Sequence, residues 1–436
     1  MPNDNKPAGS RLGPRLWLTP AVIVTVVMAA LAALYLGGTV NSSHDMNDFP
    51  VTVVNADTGA TNPSGQHINV GEQISDSLRK GVDDDRFDLR FVSLAAAKED
   101  MDKGKLYGAI VLPSDLSQKL VALAESAVTG GAAPQPAVTV YTNPLANTYG
   151  ASVVDSFASR ALDEANQTVG KQLLATATQA GDTAASGSQS VTGTARIVLS
   201  EPMLVHVTPF KEVPDGTGDG LSAFYYALLL VLAGFTGSMI ATNLVDSQLG
   251  FTPSEIGPLY RMERRSGHSR LATLALKWGI MTGVAVLVSS VYLGIADWIG
   301  MPLGAPWELW LFSVLSITAV AVVAQAILAL LGSLGMVVNL FVFVVLSIPS
   351  SGGTTPLEAM PPVVRFLSSF EPMHQIYLGT RSILYFGATW DSGLTHGVLA
   401  AVIALVLGLL VGVLGTRAYD LKGLTRKHSG PANAGQ

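Results

Sequence analysis

The sequence predicts an α-helical integral membrane protein of six spans, with an extracytoplasmic α/β domain between spans 1 and 2 and a re-entrant hairpin between spans 5 and 6. Three observations predict it. One apolar run, Leu16 to Leu36, stands alone near the N-terminus. A polar stretch of about 180 residues follows it, in which strand-like and helix-like patterns alternate. A block of further apolar runs then fills the chain from Leu221 to Gly415.

Composition agrees. Of the 436 residues 49% are hydrophobic and only 13% charged, and the mean hydropathy is +0.40. A soluble domain carries about 25% charged residues. Runs of about 20 apolar residues, enough to cross ~30 Å of hydrocarbon, account for the difference. The chain has no cysteine, which excludes disulfides, thiol catalysis and Cys-based metal sites. Its seven histidines have no metal-ligand spacing.

The spans read as Leu16–Leu36, Leu221–Val245, Leu271–Ala296, Leu309–Leu331, Met336–Ile348 and Gly397–Gly415. The fourth and fifth are divided at Gly332-Ser333-Leu334-Gly335, because the 40 residues from Leu309 to Ile348 are twice what one crossing needs. The first run is longer than the 7–15 apolar residues of a signal peptide, so it reads as an uncleaved anchor. Basic residues orient the bundle: Lys6, Arg11 and Arg15, then Arg261, Arg264, Arg265 and Arg270, then Arg417, Lys422, Arg426 and Lys427 all fall on one side. The positive-inside rule makes that side cytoplasmic, with both termini in the cytoplasm of a plasma-membrane protein. Residues 39–220 carry 12 Lys and Arg against 22 Asp and Glu and lie outside. The segments are a cytoplasmic N-terminus (1–15), span 1 (16–38), the outer domain (39–220), spans 2–5 (221–349), the hairpin (350–396), span 6 (397–416) and a cytoplasmic tail (417–436). Lys277, just inside span 3, reads as a side chain snorkelling to the interface. Asn243, Gln325 and Asn339 read as buried interhelical glue.

The outer domain begins with Phe49 to Asn55, an alternating valine-rich strand ended by the turn Asp57-Thr58-Gly59. Val70, Ile74 and Leu78 repeat every fourth residue, so Val70 to Lys80 is a helix. Arg86 to Val92 is a strand, and Ser93 caps a helix that Gly104 closes. Leu106 to Leu112 is a third strand, and a helix follows Pro113-Ser114-Asp115 with Leu116, Leu120 and Leu123 on one face. A linker, Thr129 to Pro136, leads to the strand Ala137 to Tyr141. Pro144 to Ala180 is a long helical stalk with few large apolar residues, suited either to packing on another chain or to a loose stalk. Gly181 to Gly193 is a flexible linker, and Glu201 to Thr208 returns as a strand.

Several segments together carry a resemblance. FPVTVVNADTG (Phe49 to Gly59) resembles the first strand and turn of the YhgE/Pip family of membrane proteins. DKGKLYGAIVLPSDLSQKL (Asp102 to Leu120) is similar to the strand–Pro–helix unit in the outer domains of type-2 ABC exporter permeases, and SSGGTTPLEAMPPVVRFLSSFEPM (Ser350 to Met373) to the segment before their last span. The chain also resembles the nitrosoguanidine-resistance-like branch of these membrane proteins. The resemblance implies a permease half, working as a homodimer or heterodimer in lipid, with a separate cytoplasmic ATPase. It implies that the hairpin closes the outer end of the translocation path. Gly352, Gly353, Pro356, Glu371, Pro372, His374 and Arg381 are then gate candidates, although the residues alone favour Glu371, His374 and Arg381 as anchors of the hairpin at the headgroups. It also implies a coupling helix around Glu255, Arg261, Glu263, Arg264 and Arg265 that docks the ATPase, where the residues alone read equally well as a basic loop on anionic lipid.

No P-loop occurs: Val169-Gly170-Lys171-Gln172 lacks both the glycine loop and the hydroxyl. No nucleophile elbow occurs either, so neither an enzyme nor a cofactor nor nucleic acid as a partner is expected. Two function classes are left. One is a permease that moves an amphipathic or hydrophobic solute outward. The other is a membrane-anchored surface or scaffold protein, phage-receptor-like or a secretion accessory, whose outer domain binds a partner.

Overall fold

The computed structural model describes residues 14–40, 45–62, 65–81, 85–129, 131, 133–183, 193–264 and 266–424. The basic residues Lys6, Arg11, Arg265, Arg426 and Lys427, and most of the expected 181–193 linker, lie outside them.

A single helix, α1 (Pro14–Val40), leads into an α/β domain. Its elements run β1 (Phe49–Asn55), β2 (Ala60–Thr61), β3 (His67–Ile68), α2 (Val70–Gly81), β4 (Phe87–Phe91), α3 (Leu94–Asp102), β5 (Gly108–Leu112), α4 (Leu116–Thr129), β6 (Ala137–Thr142), α5 (Thr148–Thr183), α6 (Gly193–Ser200) and β7 (Leu204–Pro209). Five strands form one mixed sheet in the order β4-β1-β5-β6-β7. β1 pairs parallel with β4 and β5, β5 pairs antiparallel with β6, and β6 parallel with β7.

Strand alternation makes the layers. Phe49, Val51 and Val53 of β1, Ile110 and Leu112 of β5, and Val138 and Val140 of β6 face α2, α4 and α5. The intervening Val54 and Ala109 face Ala97 and Met101 of α3 on the other side. Ser93 caps α3 through the Ala96 N–H at 3.2 Å. The long helix is no stalk: Val154, Ala158, Leu162 and Val169 of α5 are buried against its own sheet. Its buried stripe is mostly alanine and valine with Leu162 as a single large side chain, and that thinness made it look unpartnered in sequence.

Asp57 explains why the first turn carries that residue. Its buried carboxylate accepts from the Gly59 N–H (3.3 Å), from the Gly71 N–H at the start of α2 (2.9 Å) and from the Ser117 N–H at the start of α4 (3.1 Å). The Ser117 hydroxyl also donates to it. Two helix N-termini, each the positive end of its dipole, thus share one carboxylate. Asp57→Ala is expected to destabilise the domain by about 3 kcal/mol, because buried N–H groups at both helix ends lose their acceptor. Thermal melting of the purified protein checks this; an unchanged melting temperature refutes the shared cap.

The rest of the chain is α7 (Leu221–Gln248), the short strands β8 (Ser254–Ile256) and β9 (Leu259–Arg261), α8 (Arg270–Trp298), α9 (Pro306–Leu331), α10 (Ser333–Leu340), a π-helical stretch Phe341–Val345, α11 (Ser347–Ser350), α12 (Pro362–Ser368), α13 (Pro372–Tyr385) and α14 (Leu394–Leu421). Among the described residues, five helices are long and apolar enough to cross a membrane: α7, α8, α9, the continuous run Ser333–Ser350, and α14. The apolar part of α1 that qualifies, Ala21–Tyr35, is shorter. Tyr35 donates to the Val344 carbonyl at 3.2 Å and so ties α1 to the π-helical stretch. α14 packs through Gly397, Ala401, Gly408, Gly412 and Thr416, a stripe that admits close neighbours on α8, α9 and α13.

Four expectations are corrected here. The fifth span is not a 13-residue piece finished by irregular chain. It is an 18-residue helical run, about 27 Å long, that continues through Pro349 in its last turn. Lys277 does not snorkel: its Nζ lies 2.8 Å from Asp246 Oδ1, and both side chains are buried at one end of the α7–α8 pair. Asn243 is exposed on α7 and is not interhelical glue. Gln325 and Asn339 are buried, and Asn339 donates to the Ala324 carbonyl at 2.9 Å. The α7–α8 loop, finally, holds a β-hairpin where a helical turn was expected.

Candidate functional site

That loop pairs Ser254 with Arg261, Glu255 with Tyr260 and Ile256 with Leu259. Gly257 at φ +58° followed by Pro258 makes a two-residue connection of the kind that closes a hairpin and stops a helix. Glu255, Arg261, Glu263 and Arg264 are exposed, and Arg261 pairs with Glu263 at 3.0 Å. Arg265 lies outside the described residues. Ile256, Leu259 and Tyr260 are also exposed, so the tip presents apolar side chains beside arginines.

The hairpin residues 350–396 converge at the other end of the bundle, where they dock on the α/β domain. Pro356, which is buried, starts a single 3-10 turn, Leu357–Ala359, and α12 and α13 then turn back towards α14. Glu371 caps α13 through the His374 N–H (3.0 Å) and accepts from the Ser347 hydroxyl at 2.9 Å, with Pro372 at the first helical position. His374 donates its Nδ1–H to the Ser351 carbonyl at 2.8 Å. Gly353 abuts Phe224 of α7 so closely that a Cβ there would sit 2.3 Å from the ring, and only glycine fits.

Contacts across the junction are specific. Asn147 caps α5 by accepting the Gly150 N–H at 2.8 Å, and its amide donates to the Gly352 and Gly353 carbonyls at 3.1 and 3.2 Å. Arg381 of α13 donates to the Ala146 carbonyl and, at 3.3 Å, to the Gly104 carbonyl; its guanidinium lies over the Tyr377 and Phe386 rings. The Tyr107 hydroxyl donates to Glu358 at 3.0 Å, and the Asn47 N–H to the Glu358 carbonyl at 2.9 Å. Burial, and then the Glu358 carboxylate, hold the Tyr107 phenol well above its usual range. Burial lowers His374 below the usual imidazole range, so its ring is neutral at pH 7.

Six of the seven gate candidates therefore meet at one place: Gly352, Gly353, Glu371, Pro372, His374 and Arg381. Pro356 acts only through the turn it starts. Sequence reading missed Asn147, Tyr107 and Glu358. Asn147 carried one signal, an Asn-Thr pair at the head of a long helix, which marks a cap. Nothing local marked the other two.

Burial pushes the Glu371 carboxyl up to about 7, against which the Ser347 and backbone donors work only partly. In the unfolded chain it ionises near 4.5, so between those values the folded protein binds the extra proton. Stability then falls as pH rises through this window and stays lower above it, by a total on the order of 3 kcal/mol. Melting curves from pH 4.5 to 8 are expected to show this decline, and Glu371→Gln to flatten it. An equally steep decline in Glu371→Gln assigns the titration elsewhere.

The profile of one family, described as a protein of unknown function (DUF3533), matches residues 20–408. The chain belongs to the DUF3533 family. The matched stretch takes in the α/β domain, the β8–β9 loop and the whole hairpin, so the DUF3533 unit is the assembly of domain and bundle together. No curated protein and no solved structure matches the chain.

Proposed function

We propose that this DUF3533 protein is the membrane subunit of an ABC-type exporter of the plasma membrane, moving an amphipathic or hydrophobic solute outward. The observation that carries the reading is the junction: the chain segment that caps the helix bundle is hydrogen-bonded to the α/β domain by Asn147, Tyr107 and Arg381. A plain anchor needs no such cap. In this reading α1 is a sixth span, both termini are cytoplasmic and the α/β domain is outside, as the distribution of Lys and Arg favours. Val363, Phe366 and Phe370 give α12 and the turn after it an exposed apolar side that suits the outer membrane interface. Two copies, or one copy with a related chain, form the permease in lipid. A separate ATPase docks on the β8–β9 hairpin, whose exposed Ile256, Leu259 and Tyr260 supply apolar contact and whose arginines supply charge.

The test is a mild-detergent pull-down of the tagged chain with mass spectrometry. A stoichiometric nucleotide-binding ATPase is expected. Arg264→Glu with Arg265→Glu is expected to release it and to abolish export at unchanged protein level. Recovery of the chain alone, or with envelope proteins held through residues 39–220, overturns the exporter reading in favour of a surface or scaffold protein.

A further inference from the structure

A cleft of about 870 Å³ lies in the α/β domain between α2 and α5. Its wall on α5 is a single helix face, from Tyr149 through Val153, Phe157, Ala161 and Ala165 to Gln172. Those 23 residues of rise make it about 35 Å long. The cleft exists because α2 is 12 residues and α5 is 36, so α5 runs on past its neighbour, and because Ala161 and Ala165 leave the space between them unfilled. Phe157 stacks obliquely on Phe87, with ring centroids 4.8 Å apart, and makes an apolar floor.

Charge is distributed against the trend of the domain. Residues 39–220 carry ten more acidic than basic side chains (22 against 12), yet Lys80, Arg86 and Arg160 all line this cleft. Its two acids are Asp76, which is paired with Arg79 at 3.2 Å, and Glu164. Lys80 and Arg160 make no ion pair among the described residues. The foot of the cleft is Tyr149, two residues from the Asn147 amide that holds the hairpin.

We propose that this cleft binds a long-chain anionic amphiphile, its acyl chain lying along the Phe157–Ala165 floor and its acidic group on Arg160 and Lys80. An apolar floor, the rim cations Lys80 and Arg160 without an ion pair among the described residues, and an origin at the membrane-side hairpin together fit a lipid-like acid better than a compact polar solute. The inference rests on the exporter reading for the direction of travel and deepens it by giving the cargo's chemical class.

The experiment uses the full chain in phosphatidylcholine nanodiscs, without nucleotide or partner. The probes are a diazirine-bearing palmitic acid and the corresponding fatty alcohol, with the labelled peptides read by mass spectrometry. The acid is expected to label the stretch 153–169. Arg160→Glu is expected to cut labelling by the acid at least ten-fold and to leave the alcohol unchanged. Ala165→Trp, at an unaltered melting temperature, is expected to remove both. Labelling confined to the membrane helices, or equal labelling of Arg160→Glu by the acid, overturns the proposal. So do disulfide-linked dimers of Ser156→Cys in this otherwise cysteine-free chain, which make the cleft a contact between copies. Because binding is read without an ATPase, a failed pull-down leaves this result standing, and absent labelling leaves the ATPase coupling standing.

Discussion

Lys277→Met is expected to destabilise the protein by about 3–5 kcal/mol, while Asp246→Leu combined with Lys277→Met returns most of that loss. The two side chains are 7% and 12% exposed and lie 2.8 Å apart, so removing either takes the ion-pair partner from a buried charge. Removing both takes the two opposite charges out together, and exchanging a buried ion pair for apolar side chains is close to neutral. Thermal unfolding in detergent of the parent, both single variants and the double variant gives the coupling directly. A Lys277→Met protein that melts with the parent refutes the buried pair. The pair joins the last turn of α7 to the second turn of α8, the two ends between which the β8–β9 hairpin is strung. Under the exporter reading, the double variant folds but transmits less from that hairpin, and its export falls although its melting temperature does not.

Arg381→Met is expected to loosen the hairpin from the α/β domain by about 2–4 kcal/mol. The guanidinium serves two carbonyls, of Ala146 and Gly104, and covers two aromatic rings. Hydrogen bonds from a charged donor are worth more than neutral ones, and the stranded carbonyls add to the loss. Lysine does not substitute, since a point charge on a flexible stem cannot reach both oxygens in a fixed fork. Hydrogen exchange is the readout: amides in 143–150 and 350–357 are expected to exchange faster, with the sheet core unchanged. Unaltered exchange in both segments removes Arg381 from the junction. In the exporter reading, this variant also loses export at least ten-fold.

Much of the fold could be read from pattern. The strand expected over Phe49–Asn55 covers those residues, because period-two valines have only one way to bury themselves between helices on both faces. The helix at Val70 and the cap at Ser93 were legible for equally local reasons. What was not legible depends on partners far along the chain. The pairing of Lys277 joins residues on two helices and could not be inferred from an apolar window around one of them. Gly257-Pro258 was readable as a hairpin turn, but the charges around it drew attention to a helix instead. At the junction, Tyr107 and Glu358 are 251 positions apart, and although each lies in a segment that carries the family resemblance, nothing in either segment points to the other. Glu371 and His374 stood out because ionisable residues are rare in apolar surroundings; Asn147 did not, because asparagine before a helix is ordinary.

The π-helical stretch Phe341–Val345 has a geometric consequence for Glu371. The Leu346 N–H reaches back five residues to Phe341, at 3.0 Å, so the helix carries one residue more than regular winding allows. One surplus residue rotates everything after it by about 100° around the axis. Ser347, whose hydroxyl meets Glu371, owes its heading to that phase shift. Winding the same residues as regular α-helix would swing Ser347 a quarter-turn or more away from the carboxyl it serves, whereas deleting one residue of the stretch restores uniform winding and leaves Ser347 near its present heading. The segment works as an angular spacer, setting the azimuth at which one helix presents its hydroxyl to another.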